Sequence, residues 1–244
     1  MEFQFIDKVG VEIEGGWASW NHIDYNLSSD MSIKAAAFTP EVKALGELIS
    51  QPFSTMDELF VFMDKFWPIE GPECCGFHVH FSLKNINSYI TCMDKKFYDE
   101  FIAKIIQWGN EYPCKNKLFW GRLENKNRFT RNVFNADKQV FLKQKQEDRY
   151  SHLNFCYSLH KTIECRLFPT FSEPETAKSA VIALLTHVED YLKKNPPNEV
   201  LSNSEEILDE NLEKIKVIKF GGFNLFKVTK GFKEYTNDSS EVVF

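Results

Sequence analysis

A chain of 244 residues with 43% hydrophobic content is long enough to bury one substantial core and permits one or two domains. Its net charge of -6 argues against a basic surface for non-specific nucleic-acid binding, and no stretch approaches the roughly 20 apolar residues of a membrane span. The six cysteines, at 74, 75, 92, 114, 156 and 165, follow no framework spacing. They are expected to be reduced thiols in a cytoplasmic protein, each serving as a small buried apolar residue. The 23 phenylalanines fall mostly at helix or strand spacing, which points to an aromatic core rather than a stacking platform for bases.

In chain order, residues 1–14 lack the basic and apolar regions of a leader and read as strand, with alternation over 3–6 and 9–14. Gly15-Gly16 is expected to end the second run. Glu47-Leu48-Ile49-Ser50 is a short strand closed by Pro52. Ser54 or Thr55 caps a helix that buries Leu59, Phe60, Met63 and Phe66. Residues 77–83 alternate as a strand, and Phe97, Phe101, Ile105 and Trp108 mark an amphipathic helix. The charged stretch 112–148, with Arg122, Arg128 and Arg131, reads as a functional loop or as a solvated cover. Residues 152–156 and 162–167 form two strands of a hairpin around Ser158-Leu159-His160-Lys161. Ser172-Glu173-Pro174-Glu175 combines an N-cap, a first-turn proline and a capping-box glutamate. It opens a helix through Ala180, Val181, Leu184, Leu185, Val188 and Leu192. Pro196-Pro197 stops that helix, and the tail is expected to hold a helix near 203–214 and a hairpin over 217–228 turning at Gly221-Gly222.

Three period-two pairs carry chemistry: Glu12-x-Glu14, His78-x-His80 and Glu164-x-Arg166. Residues two apart on a strand share a face, so each pair presents two polar groups together. Alone, each has an ordinary explanation: a solvated face, paired histidines, a surface salt bridge. In one sheet, Glu12, Glu14 and Glu164 converge, and Glu47 joins them. Two carboxylates about 4 Å apart repel by about 4 kcal/mol at an effective dielectric near 20. Several such terms rival the stability of a domain. A divalent cation removes that penalty, and carboxylates with imidazole suit Mg²⁺ or Mn²⁺ that also holds phosphate. Cys74 and Cys75 beside His78-x-His80 hint at structural zinc, but no second cysteine or histidine pair completes a tetrahedral set.

Six segments in this order resemble the amidoligase family, a branch of the carboxylate–amine ligases that shares the glutamine synthetase catalytic fold. They are Val9-Gly10-Val11-Glu12-Ile13-Glu14, Asp30-Met31-Ser32, Glu47-Leu48-Ile49-Ser50-Gln51-Pro52, Cys75-Gly76-Phe77-His78-Val79-His80, Arg149-Tyr150-Ser151-His152-Leu153-Asn154 and Thr162-Ile163-Glu164-Cys165-Arg166-Leu167-Phe168. The resemblance implies an α+β fold: a curved antiparallel sheet with helices on one face, like the glutamine synthetase catalytic domain. It implies that Glu12, Glu14, Glu47, His78 and Glu164 hold metal, and that His80 is a ligand or a phosphate contact. Glu164, Arg166 and Arg149 would be catalytic, with Arg149, Arg166, His80 and Asn154 contacting the nucleotide. Asp30 and Ser32 would lie near the substrate.

The expectation is therefore a catalytic domain over 1–195 with a C-terminal appendage over 196–244 packed on it. Its activity would be ATP- and Mg²⁺- (or Mn²⁺-) dependent joining of a carboxylate and an amine, each a small molecule or peptide, through an acyl phosphate. No nucleic acid or membrane partner is expected. The alternatives are a metal-dependent hydrolase using the same residues and an inactive scaffold that kept the fold.

Overall fold

The structure is a computed structural model that describes residues 2–19, 27–28, 33, 37–112, 116–126, 130–132, 134, 150–156 and 160–197. The chain divides into two compact units at Pro196/Pro197, and the first contains nearly all the described residues. The tail helix and hairpin expected from the sequence lie outside the described residues.

The first unit is an α+β fold built on a curved antiparallel sheet with helices packed against it. Its strands are β1 (Ile6–Trp17), β2 (Leu27–Ser28), β3 (Ala44–Ile49), β4 (Gly76–Leu83), β5 (Leu153–Cys156) and β6 (Thr162–Pro169). They lie in the order β2-β3-β1-β4-β6-β5, so the first strand in sequence is interior and carries a neighbour on each side. Val9, Val11 and Ile13 of β1, Phe77, Val79 and Phe81 of β4, Ile163 and Cys165 of β6, and Leu153 and Phe155 of β5 fill one face. Period two then obliges the intervening residues to the other face.

The helices are α1 (Met56–Phe66), α2 (Ile86–Cys92), α3 (Lys95–Glu111), α4 (Lys117–Leu123) and α5 (Pro174–Lys194). Thr55 is the cap of α1, its hydroxyl accepting from the Glu58 N–H at 3.3 Å. Met56, Leu59, Phe62, Met63 and Phe66 form the buried stripe of α1, and Phe60 is only partly covered. In α5, the cap residue is Glu173 rather than Ser172, and no side chain satisfies the first turn. The helix tolerates this because a missing cap costs about 1 kcal/mol. Leu184, Leu185, Val188 and Leu192 are all fully buried, each contributing about 1.5–3 kcal/mol. Packing outweighs capping here.

Two local features depart from the sequence reading. β1 does not stop at Gly15-Gly16 but runs on to Trp17. The glycines instead let residues 68–70 close onto the strand: a Cβ at Gly15 would sit 2.7 Å from the Cβ of Pro68, and the Gly16 N–H donates to the Glu70 carbonyl at 2.8 Å. The second feature is Glu189 of α5, a buried carboxylate. It accepts from the N–H groups of Gln4 (3.0 Å), Phe5 (2.9 Å) and Ile6 (3.0 Å), tying the start of β1 to the last helix. Cys74, Cys75, Cys92 and Cys165 are free thiols. No described helix is long and apolar enough to cross a membrane.

Candidate metal centre

The polar face of the sheet is assembled by strand register. Glu12 lies opposite His78, His80 opposite Glu164, and Glu164 opposite Asn154; on the other flank Glu14 lies opposite Glu47. Directly paired antiparallel residues share a face. Three sequence pairs thus become one patch across β3, β1, β4, β6 and β5. Between Phe77/Phe168 and Val79/Cys165 the β4–β6 register slips by one residue, so Arg166 and Leu167 together oppose His78. Such a bulge bends the strand and re-aims its side chains beside the cluster.

Glu12 is the hub. Its Oε2 lies 2.9 Å from His78 Nδ1 and its Oε1 lies 3.1 Å from His80 Nε2. Glu164 Oε1 is 3.7 Å from His78 Nδ1 and 3.8 Å from His80 Nε2. Among the described residues, two sets have ligand atoms mutually within 4.8 Å: Glu12, His80 and Glu164, and Glu12, Glu47 and His78. They share Glu12. Carboxylate oxygens with an imidazole nitrogen are a donor set that could hold a divalent cation.

Surrounding groups fix these side chains. Asn154 donates its amide to Glu164 Oε2 at 2.9 Å, and Arg166 donates through Nη1 to Glu164 Oε1 at 2.5 Å. His80 Nδ1 lies 3.3 Å from the Thr162 hydroxyl, leaving Nε2 to face the carboxylates. That Nε2 is within ion-pair distance of Glu12 but off the direction of a hydrogen bond. Charge attraction needs no such alignment, and the contact stands as an ion pair. The Ser28 hydroxyl donates to Glu47 Oε2 at 3.0 Å.

The electrostatics describe a cluster balanced by protons when no ion is bound. Burial pushes the Glu12 carboxyl upward, but the charge of His80 and the contacts with both histidines outweigh it and hold Glu12 well below the usual carboxylate range. Burial likewise opposes charge on His80, yet Glu12 and then Glu164 prevail and push its pKa up to about 8. Burial also works against ionised Glu164, and the Arg166 and His80 charges overcome it and lower its pKa. Two carboxylates thus face one imidazolium and one guanidinium. The Nε of Arg166 is buried and has no hydrogen-bond partner among the described residues.

Gly76 leaves room for His78. A Cβ at that position would lie 2.5 Å from His78 Nε2 and 3.3 Å from Glu14 Oε2. Glu14, expected among the metal ligands, joins neither set. Its carboxylate accepts from the Gly76 N–H at 2.5 Å, and its carbonyl accepts from the Thr170 hydroxyl at 2.7 Å. Arg149, Asp30 and Ser32 lie outside the described residues.

Sequence reasoning missed two residues. Arg122, on α4, is 1% exposed and donates to the carbonyls of Cys75 (2.9 Å), Phe168 (3.1 Å) and Arg166 (3.3 Å). It clamps the ends of β4 and β6 behind the cluster; burial lowers its pKa to about 10, with Glu14 opposing, so it stays a cation at neutral pH. Its one signal was an arginine within an amphipathic turn, Phe119 and Leu123 being buried beside it. The other is His160, whose ring stands edge-on to His80 at 6.5 Å between centroids. Burial and the His80 charge lower its pKa, in spite of Glu12 and Glu164. A histidine in a predicted turn gives no periodic signal.

No family model, curated protein or solved structure matches the chain. The functional reading therefore rests on the residues and their geometry.

Proposed function

We propose that this protein is an ATP-dependent carboxylate–amine ligase with a glutamine synthetase-like catalytic sheet, related to the amidoligases it resembles in sequence. The supporting observation is the Glu12 carboxylate shared between two candidate metal sets, beside Arg166, whose Nε has no partner among the described residues. A carboxylate is a poor electrophile, and transfer of the γ-phosphoryl group of ATP converts it to an acyl phosphate that an amine can attack. Divalent cations, when bound, neutralise the nucleotide's phosphate oxygens.

The chain's own groups would do the rest. Glu12, Glu47, His78, His80 and Glu164 hold the ions; Asn154 and Arg166 keep the Glu164 carboxylate in one orientation. Arg166 has a donor to spare for the phosphoryl oxygens on which charge accumulates, a contribution of about 10²–10³ in rate for one such donor. Arg122 holds the bulge carbonyls and so the backbone from which Arg166 projects.

The test is ADP release across a panel of amino acids and peptides as acid and amine, with mass spectrometry for the amide. Glu164→Ala and Arg166→Ala are expected to abolish ADP release in folded protein. Wild-type turnover in both variants, or amide-bond hydrolysis with no nucleotide requirement, would sink the assignment. Failure to bind Mg²⁺–ATP would leave a scaffold that kept the fold.

A further inference from the structure

The Glu12, His80 and Glu164 set offers three donor atoms, one short of the four that close a tetrahedral transition-metal site. His160 stands beside it, exposed, with its ring perpendicular to that of His80 (88° between planes) and 6.5 Å away. Two imidazoles sharing a tetrahedral ion at about 2 Å from each nitrogen have centroids about 5 Å apart. The observed separation exceeds that by about 1.5 Å. An exposed side chain closes the gap by turning about its own bonds.

Lys161, which follows His160, has φ 55°, a left-handed conformation that a non-glycine residue rarely adopts unless its surroundings hold it there. Its carbonyl accepts a hydrogen bond from the Tyr89 hydroxyl, which in turn accepts from the Leu83 N–H at 2.7 Å, at the end of β4. The residue next to His160 is thereby anchored to the strand that carries His80. Tyr89 is itself buried, so the anchor belongs to the core.

We propose that His160 is the fourth protein ligand of a transition-metal ion held by Glu12, His80 and Glu164. Two imidazole nitrogens and two carboxylate oxygens make a set that favours Zn²⁺, Co²⁺ or Mn²⁺ over Mg²⁺, which prefers oxygen and keeps its waters. The Glu12, Glu47 and His78 set, with one imidazole, is the harder site and the place for Mg²⁺. The two halves of the centre thus differ in metal preference. This inference rests on the cluster being a metal site, and not on the nucleotide or the ligase reaction.

The experiment uses the metal-stripped full chain, titrated with Co²⁺ by its visible absorption, with Zn²⁺ by competition, and with Mg²⁺ by calorimetry. His160→Ala, at an exposed position, is expected to weaken Co²⁺ and Zn²⁺ by about 10–100-fold and to change Mg²⁺ less than about twofold. The cobalt absorption should lose intensity as water replaces the imidazole. His160→Cys should restore tight Co²⁺ binding with a new thiolate-to-cobalt band, which only direct ligation produces. Unchanged Co²⁺ and Zn²⁺ affinities in His160→Ala would overturn the proposal, as would a parallel fall for Mg²⁺. A wild-type chain that takes up none of the three ions would remove the metal reading altogether, whereas absent ADP release alone would leave this proposal standing.

Discussion

Adding one methyl group at position 76 probes how tightly the centre is built. In Gly76→Ala, the new Cβ would fall 2.5 Å from His78 Nε2 and 3.1 Å from its Cδ2, so the ring must retreat by about an ångström to reach ordinary contact at 3.4 Å. The His78 side chain is only 4% exposed, and its retreat breaks the 2.9 Å contact between Nδ1 and Glu12. Overpacking a filled site costs about 1–3 kcal/mol, and a hydrogen bond to a charged group contributes about 1.5–3 kcal/mol. Since the protein escapes the first by giving up the second, the two do not add, and the expected loss is about 2 kcal/mol. For a domain of this size that is a fall in Tm of about 4–8 °C by calorimetry. Displacing a ligand by an ångström should also weaken Mg²⁺ or Mn²⁺ at least about tenfold by titration. A variant that melts within a degree of the parent and binds metal equally well would show that His78 is not lodged against Gly76, and the ligand geometry would be wrong.

Metal uptake should displace a proton. His80 carries its proton with a pKa of about 8, so binding at pH 7 should release about 0.9 proton, falling to about 0.1 at pH 9. Calorimetry in buffers of different ionisation enthalpy reads this directly, and release near zero at pH 7 would refute it. In the metal-free protein the same raised pKa gives stability that is complete below about 6.5 and lost as pH rises through 8. His152 has the opposite sign. Buried, with Nε2–H donating to the Arg122 carbonyl at 3.0 Å, it is pushed down from 6.5 to about 4 mainly by burial. Its contribution is present above pH 6.5 and disappears as pH falls toward 4, a loss of roughly 2–3 kcal/mol at 1.36 kcal/mol per unit. Urea unfolding at pH 7 and 4.5 should therefore show less acid sensitivity in His152→Gln than in the parent, and equal sensitivity would refute the assignment. Glu189→Ala orphans three N–H groups at the start of β1 and should cost about 3 kcal/mol or more, seen as a lower urea midpoint at unchanged slope. A loss below about 1 kcal/mol would mean that water satisfies those groups.

Much of the sheet was legible because strand periodicity is a local property. Glu12-x-Glu14, His78-x-His80 and Glu164-x-Arg166 each report which side of a strand is polar, and the register then joins them. What failed was whatever depends on a distant partner. Gly15-Gly16 reads as a terminator, yet the glycines serve the approach of Pro68 and Glu70 to a continuing strand. Glu14 shares its face with Glu12, but Gly76 captures its carboxylate, and nothing near Glu14 in sequence announces that. Arg122 looked like part of a charged stretch that was either a functional loop or a solvated cover, because burial of an arginine is decided by three carbonyls more than 40 residues away. Ser172 seemed the cap of α5, and local propensity gave way there to the packing of a long apolar stripe.

The Glu189 clamp bears on how the polypeptide matures during synthesis. β1 leaves the ribosome ahead of its neighbours β3 and β4, but three amides at its leading end stay without their acceptor until residue 189 has emerged. Contacts of such sequence separation form late and slow a fold. A nascent chain stalled before α5 would present an apolar strand surface and unsatisfied amides together, a state suited to chaperone capture. Nonsense truncation anywhere upstream of that glutamate should yield insoluble fragments rather than a smaller functional domain.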